Sequence, residues 1–345
     1  MDVYILDQNF TPITVIDTYK SLIWTTWYNA CGDFELYLPA DAGLMPSLQE
    51  GNFVVREGDQ TSVMIIEKIE IETSVENGDF FIVSGRSAES LLDRRIIWSQ
   101  TNIQNTEPSQ AIFNLITDNV ISPSNQSRII PHVTLGSPLQ TSGRMTAQFT
   151  GTNLLEAIET ICNEYGIGFR AKLVGNDLVF DCYAGNETLV VFSPELDNLI
   201  GSEYKSDMTS LKNVALTAGE GEGTARKTAA VSSASTEPTG IQRREMYVDA
   251  RDLSTNDGEI TREVYLEKLE QRGMEKLSDQ AVRQTFSCEI APQMTYRYKV
   301  DYDLGDIVTF ENSYGITMHP RIVAVTESFS EAGYQVIPTF GDRGE

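Results

Sequence analysis

Only two histidines, His132 and His319, stand among the 345 residues, each beside a proline (Pro131 or Pro320). A histidine that moves protons needs a nucleophile or an orienting carboxylate. No HExxH helix and no GxSxG elbow supplies one, so both read as ordinary turn residues. The four cysteines (Cys31, Cys162, Cys182, Cys288) are scattered and form no CxxC pair. That spacing spells neither a metal cage nor a redox couple, and they read as small apolar core residues in a chain folded under reducing conditions. Gly219, Gly221 and Gly223 invite a phosphate-loop reading, but Arg226 stands where the Walker pattern needs glycine, and Thr224 breaks GxGxxG. Carboxylates are plentiful. Asp33 and Glu35 share one strand face, as do Glu70 and Glu72, yet two-residue spacing gives a solvated face as readily as a glycosidase pair. No catalytic, cofactor-binding or metal-binding residue is assigned, no cofactor is expected, and the chain is expected not to be an enzyme.

Charge narrows the partners. Twenty-six basic against 50 acidic side chains give a net charge of -24, which repels nucleic-acid phosphates and argues against gripping or reading them. A DNA conduit is a different matter, because an acidic wall lets a polyanion pass without sticking; simple solubility is the competing explanation. The opening MDVYILDQNF has acids where a signal peptide needs basic residues, and no apolar run reaches the length of a membrane span. Synthesis in a cytoplasm is expected.

The elements that would hold any site are mostly strands. Val3–Leu6 and Ile13–Ile16 flank a turn and predict a hairpin, and Phe34, Leu36 and Leu38 alternate with polar neighbours. A meander follows through 52–56, 63–71 and 80–83. Glu107-Pro108 opens a helix with Ile112, Leu115, Ile116 and Val120 on one face. Thr152 or Asn153 caps a second, with stripe Leu154, Leu155, Ile158, Ile161, Cys162 and Tyr165 and a stop at Gly166. A hairpin is predicted around Gly175-Asn176-Asp177. Residues 217–240 are small and glycine-rich and predict a long mobile loop; a charged helix is predicted over 259–283, with Gly273 weakening it. Strands are expected over 287–290, 294–300, 306–310, 321–327 and 334–337. The fold class is therefore mainly β with an α+β insert: a first barrel over 1–100, the insert over 101–200 and a second barrel over 201–345.

Two stretches echo one another. Residues 48–85 and 304–341 each open on glycine (Gly51-Asn52, Gly305-Asp306) and enter a strand. Each then turns at a second glycine (Gly78, Gly333) and closes on a third (Gly85, Gly341). Tight turns ask for positive φ, which is why glycine recurs there. Any two meanders share some of this; the sharper reading is two related, tube-like barrels with helices spliced between them. Between the meanders, a strand ends at Gly85 and becomes a short helix with Leu91 and Leu92 facing inward. Arg86, Arg94 and Arg95 cluster around it. In so acidic a chain these arginines are expected to pair with carboxylates, within or between subunits.

The ordered set GDFELYLPAD (32–41), SGRSAESLLDRRI (84–96), NLLEAIETICNEYGIGFR (153–170), SEYKSDMTSLKNVALTAGEGEG (202–223) and DLGDIVTF (303–310) resembles the tail-tip hub proteins of siphophages. These often precede a tail-associated lysin and are related to the baseplate hubs of contractile tails. The resemblance implies a structural virion protein: a homotrimer whose paired barrels form a pseudo-hexameric ring around the tail channel. It implies as partners a distal tail ring, the tape measure and a fibre or receptor-binding protein, with DNA passing unread. Gly85, Arg86, Ser87, Leu91, Leu92 and Arg94 are its signature and candidate interface residues. No peptidase or muramidase sequence follows the second barrel, so the expectation is a hub alone. A receptor- or glycan-binding module of the tip is the alternative.

Overall fold

The computed structural model describes residues 1–74, 76, 78–141, 143–198, 201–255, 260–289, 296–314 and 317–341, with the backbone alone for 201–202 and 283–289. Strands dominate, and period-two burial sets them. In Asp33–Pro39, Phe34, Leu36 and Leu38 are buried while Asp33 and Glu35 face solvent. Val3–Leu6 pairs antiparallel with Pro12–Ile16, as its hairpin pattern predicts. The Asn9 and Thr11 amides donate to Asp7 Oδ1 at 2.8 and 2.9 Å and close that turn locally. Pro12–Ile16, Val3–Leu6, Phe53–Arg56 and Asp59–Ile65 make one four-stranded sheet. It packs over a second, longer sheet through Ile5, Leu22, Trp24, Leu36, Met64 and Val83.

Helix α1 (Pro108–Ile116) begins where Glu107 accepts the Gln110 amide, with proline at the first position, where no amide is needed. It continues into a π-helical turn over Thr117–Ile121 that buries Val120. Asn153, not Thr152, caps α2 (Leu154–Tyr165), accepting from the Leu155 and Glu156 amides, and Gly166 at φ 61° ends it. The hairpin Gly168–Val174/Asp177–Tyr183 completes the insert. Its core is continuous with the first sheet: Ile112, Ile158 and Phe180 share one cluster with Leu6, Phe53 and Ile65.

The last third departs from expectation in several places. Residues 217–240 are not one long loop. Val214–Ala218 and Thr228–Ser232 pair as a hairpin, and Glu245–Asp249 adds in parallel. Alanine and glycine are short there because α3 (Arg262–Ser278) lies against the sheet: a Cβ on Gly273 would stand 2.5 Å from Thr217 Oγ1 and 2.6 Å from Val231 Cγ2. Gly273 thus permits the packing of α3 instead of breaking it. The helix starts at its Thr261 cap and stops at Ser278, short of Arg283, which opens the strand Arg283–Glu289. Of the strand expected over 294–300, residues 296–300 form a turn bridged between Tyr298 and Tyr302. Ile290 and Met294 lie outside the described residues, as do 342–345. Glu187–Phe192, read as part of the insert, pairs in parallel with Ile307–Glu311 of the closing meander. Strand pairing does not close into a full barrel among the described residues. No described helix is long and apolar enough to cross a membrane.

Candidate assembly site

The two meanders share their hydrogen bonding as well as their glycines. The Gly51 amide donates to Ile66 O at 2.7 Å and the Ile66 amide to Asn52 O at 2.8 Å. In the second copy the Gly305 amide donates to Ile322 O and the Ile322 amide to Asp306 O, both at 2.8 Å. Gly51 and Gly305 have φ of 88° and 92°, a region that excludes most side chains. Around each meander the chain builds the same four-strand order. The first runs Ser21–Trp27, Asp33–Pro39, Gly78–Arg86, Lys68–Ser74; the second runs Gly201–Asp207, Arg283–Glu289, Gly333–Gly341, Arg321–Ser330. Every neighbouring pair in both is antiparallel.

These units are joined edge to edge. Arg321–Ser330, last in the second unit, pairs antiparallel with Ser21–Trp27, first in the first unit, over seven positions from Ala324↔Trp27 to Ser330↔Ser21. One eight-strand path results. Its two end strands, Lys68–Ser74 and Gly201–Asp207, are the counterparts of the two that meet at the internal seam, and each has a strand neighbour on one side only among the described residues. Lys68–Ser74 is seven residues long and mostly exposed, and an edge of that length is a ready template for another strand.

Beneath the seam lies a buried ion cluster. Arg56 reaches Glu327 at 2.7 Å and Asp59 at 2.6 Å, Lys299 reaches Asp59 at 2.7 Å, and the Tyr334 hydroxyl donates to Glu327 at 2.7 Å. The Arg56 guanidinium also lies 4.7 Å from the Trp24 ring centroid. Burial works against the Asp59 carboxylate, but Lys299 and Arg56 overcome it and hold it well below the usual carboxylate range.

Cross-strand register lays the opposite, solvent-facing side of the sheet in rows. One runs Lys68, Ser84, Glu35, Ile23, Ser328, Gln335; another runs Arg86, Asp33, Thr25, Thr326, Ile337. The face is hydroxylic and acidic, and two of its cations are held by carboxylates, Lys68 by Glu70 and Arg86 by Glu67 and Asp93, while Lys205, placed on it through Thr339↔Ser287↔Glu203, is exposed. It leaves little for a phosphate backbone to grip.

The signature segment sits at the rim of the first unit. Gly85 lies where a Cβ would stand 1.9 Å from Ile65 O, so a side chain has no room. Arg86 forks onto Glu67 at 2.9 and 3.0 Å and reaches Asp93 at 3.0 Å, all within the subunit. Ser87 exchanges hydrogen bonds with Gly32: the Gly32 amide donates to Ser87 Oγ at 2.8 Å and the Ser87 amide to Gly32 O at 2.9 Å. Leu91 and Leu92 are buried, and Arg94 is exposed, 3.9 Å from Glu67. The sequence did not flag Glu89 of the same segment. It is buried, accepts the Ala171 amide at 2.6 Å, and burial pushes its carboxyl up.

Elsewhere the chemistry is sparse. Among the described residues no three His, Cys, Asp or Glu side chains group to hold a metal. Cys31, Cys162 and Cys182 are free thiols, and burial pushes all three up, Cys182 to about 12. Such thiols are poor nucleophiles. His319 faces the Thr309 hydroxyl at 3.2 Å, and His132, in a turn at φ 61°, lies 3.7 Å from Asp177.

The sequence model of the Siphovirus ReqiPepy6 Gp37-like protein family matches residues 2–342. The chain belongs to this family. Three tail proteins are among the solved structures similar to this chain. The tail protein from Neisseria meningitidis MC58 is 15% identical, with 99% of this chain and 96% of that one covered and a TM-score of 0.59. Prophage tail protein gp18 from Listeria monocytogenes EGD-e is 14% identical, covering 99% and 94%, at 0.58. The 43 kDa tail protein of prophage MuSo2 from Shewanella oneidensis is 13% identical, covering 99% of each chain, at 0.59. At such identities the shared property is the fold, which is that of phage tail proteins. No curated protein matches the sequence.

Proposed function

We propose that this family member is a non-enzymatic structural hub of a phage tail tip, and that its copies join head to tail into a ring around the tail channel. The observation that carries this reading is the repeated strand order, 4+4, whose internal seam joins the counterparts of the two strands that end the path among the described residues. A contact between Lys68–Ser74 of one copy and Gly201–Asp207 of the next would reproduce the seam. Such a heterologous contact makes a closed ring when its rotation closes. Three copies, the number that the family resemblance implies, would present six four-strand units, matching a sixfold tube on one side and a threefold tip on the other. The acidic, hydroxylic sheet face then forms the channel wall, along which DNA passes unread. Distal tail ring, tape measure and fibre proteins are the partners this position implies.

Mass measurement of the purified chain at micromolar concentration, with and without its neighbouring ring protein, tests the reading. A cysteine at position 70 is paired in turn with one at 203, 204 or 205. A trimer closed by disulfides between the two edges is expected. A species that stays monomeric or dimeric under both conditions, with no cross-link between copies, would sink it.

A further inference from the structure

Opposite in character to the acidic sheet face is a small patch on the insert. Ile96, Trp98 and Ile129 are 41%, 65% and 40% exposed, and three arginines, Arg94, Arg95 and Arg128, surround them. The patch is built, not accidental. Arg128 lays its guanidinium 5.3 Å from the Trp98 ring centroid and donates to Ile96 O at 2.7 Å; Arg95 Nε donates to Arg128 O at 2.9 Å. Asn119 ties both sides together, its Oδ1 accepting from the Trp98 amide and from Arg128 Nη2, each at 3.3 Å. Main-chain carbonyls and one amide are the only acceptors these bonds give Arg95 and Arg128, and neither has a carboxylate within ion-pair distance among the described residues. Arg94 reaches Glu67 only at 3.9 Å. Desolvation, then repulsion from Arg128 and Arg94, holds the Arg95 guanidinium below its ordinary value, as expected of an uncompensated cationic cluster.

In a chain with 50 acidic and 26 basic side chains, leaving two guanidiniums without a carboxylate beside an exposed tryptophan calls for a partner that supplies both acid and apolar surface. We infer that the Ile96–Trp98–Ile129 patch docks an acidic polypeptide segment of another protein, one that sets an apolar side chain on Trp98 and carboxylates on Arg95 and Arg128. Tryptophan and arginine are the residues that most often dominate binding energy at such contacts, and planar guanidiniums take carboxylates bidentately. Nucleic acid fits less well: the net charge of -24 repels a polyanion overall, and two isoleucines offer a phosphate nothing.

The test selects from a library of random twelve-residue peptides on the immobilised full-length chain. Sequences rich in Asp and Glu with at least one aromatic or branched aliphatic residue are expected. Their affinity should fall at least tenfold for Trp98→Ala, an exposed position that leaves the core untouched, and for Arg95→Gln combined with Arg128→Gln. Circular dichroism of each variant checks the fold. Replacing the selected acids by their amides should cost a similar factor. Enrichment of neutral or basic peptides, binding unchanged in Trp98→Ala, or displacement of the peptides by phosphatidylglycerol vesicles or single-stranded oligonucleotide would overturn the inference.

Discussion

Arg56 and Glu327 come from opposite ends of the chain and meet 2.7 Å apart, both almost wholly buried, beneath the seam between the two four-strand units. Removing one partner strands the other in a poorly solvated place. Arg56→Ala is expected to destabilise the chain by about 3–5 kcal/mol, whereas Arg56→Met with Glu327→Gln should recover much of that loss. Urea unfolding of the single and double variants decides it. Equal loss in both would show that the charges are not acting as a pair.

Gly85→Ala probes the close approach of two backbones. With Ile65 O only 1.9 Å from the added carbon, the sheet must shift. A loss on the order of 3 kcal/mol is expected, at the upper end for overpacking. Gly151, which a Cβ would leave clear of contacts within 4 Å, is a control for space, though its φ of 72° still strains alanine. A thermal melt of Gly85→Ala within a degree of the parent would refute the geometry.

Glu275 of α3 is buried against the insert, and burial pushes its carboxyl up to about 7, with Glu164 adding in the same direction and Arg272 opposing. The folded state then holds a proton that the unfolded state, near 4.5, has released. The sign follows from linkage: stability is greatest at low pH in this window and falls as pH rises from about 4.5 to about 7. Glu275→Gln should flatten that slope and raise stability at pH 8 by on the order of 2 kcal/mol. Denaturant midpoints across that range provide the measurement, and an unchanged slope would count against it.

Proline separates folding from assembly at the open edge. Along Lys68–Ser74, successive amides point alternately to Gly78–Arg86 and away from it, so of Ile71→Pro and Glu72→Pro one spares the internal ladder. That variant should melt within about 1 kcal/mol of the parent and yet fail to form rings by mass measurement. A well-folded variant that still assembles would remove this strand from the contact.

How much of this was legible beforehand depended on range. The end of α2 was readable because Asn153 and Gly166 act on their immediate neighbours, and the repeat because positive φ leaves glycines in the sequence. The strands inside 217–240 were hidden, since alanines and glycines packed under a helix look like a flexible linker. Glu187–Phe192 looked local, yet its partner is Ile307–Glu311. The seam and the Arg56 cluster join residues from both ends, and only the folded chain brings them together. Trp98 went unremarked because its significance lies in Arg128, which approaches it from another loop.

The two units differ most at one equivalent hairpin. Residues 28–32 connect its strands in the first unit, whereas 208–282, with a sheet of its own and α3, connect them in the second. Lys268 and Gln271 of α3 then reach back to Asn102 and Glu164 of the insert, at 2.7 and 2.6 Å. Repetition of one strand order within a single polypeptide thus permits a division of labour. One unit keeps the short turn that holds the frame, the other extends its turn into an outgrowth, and that outgrowth joins the insert as a single body, so the two units of one polypeptide carry different loads on the same frame.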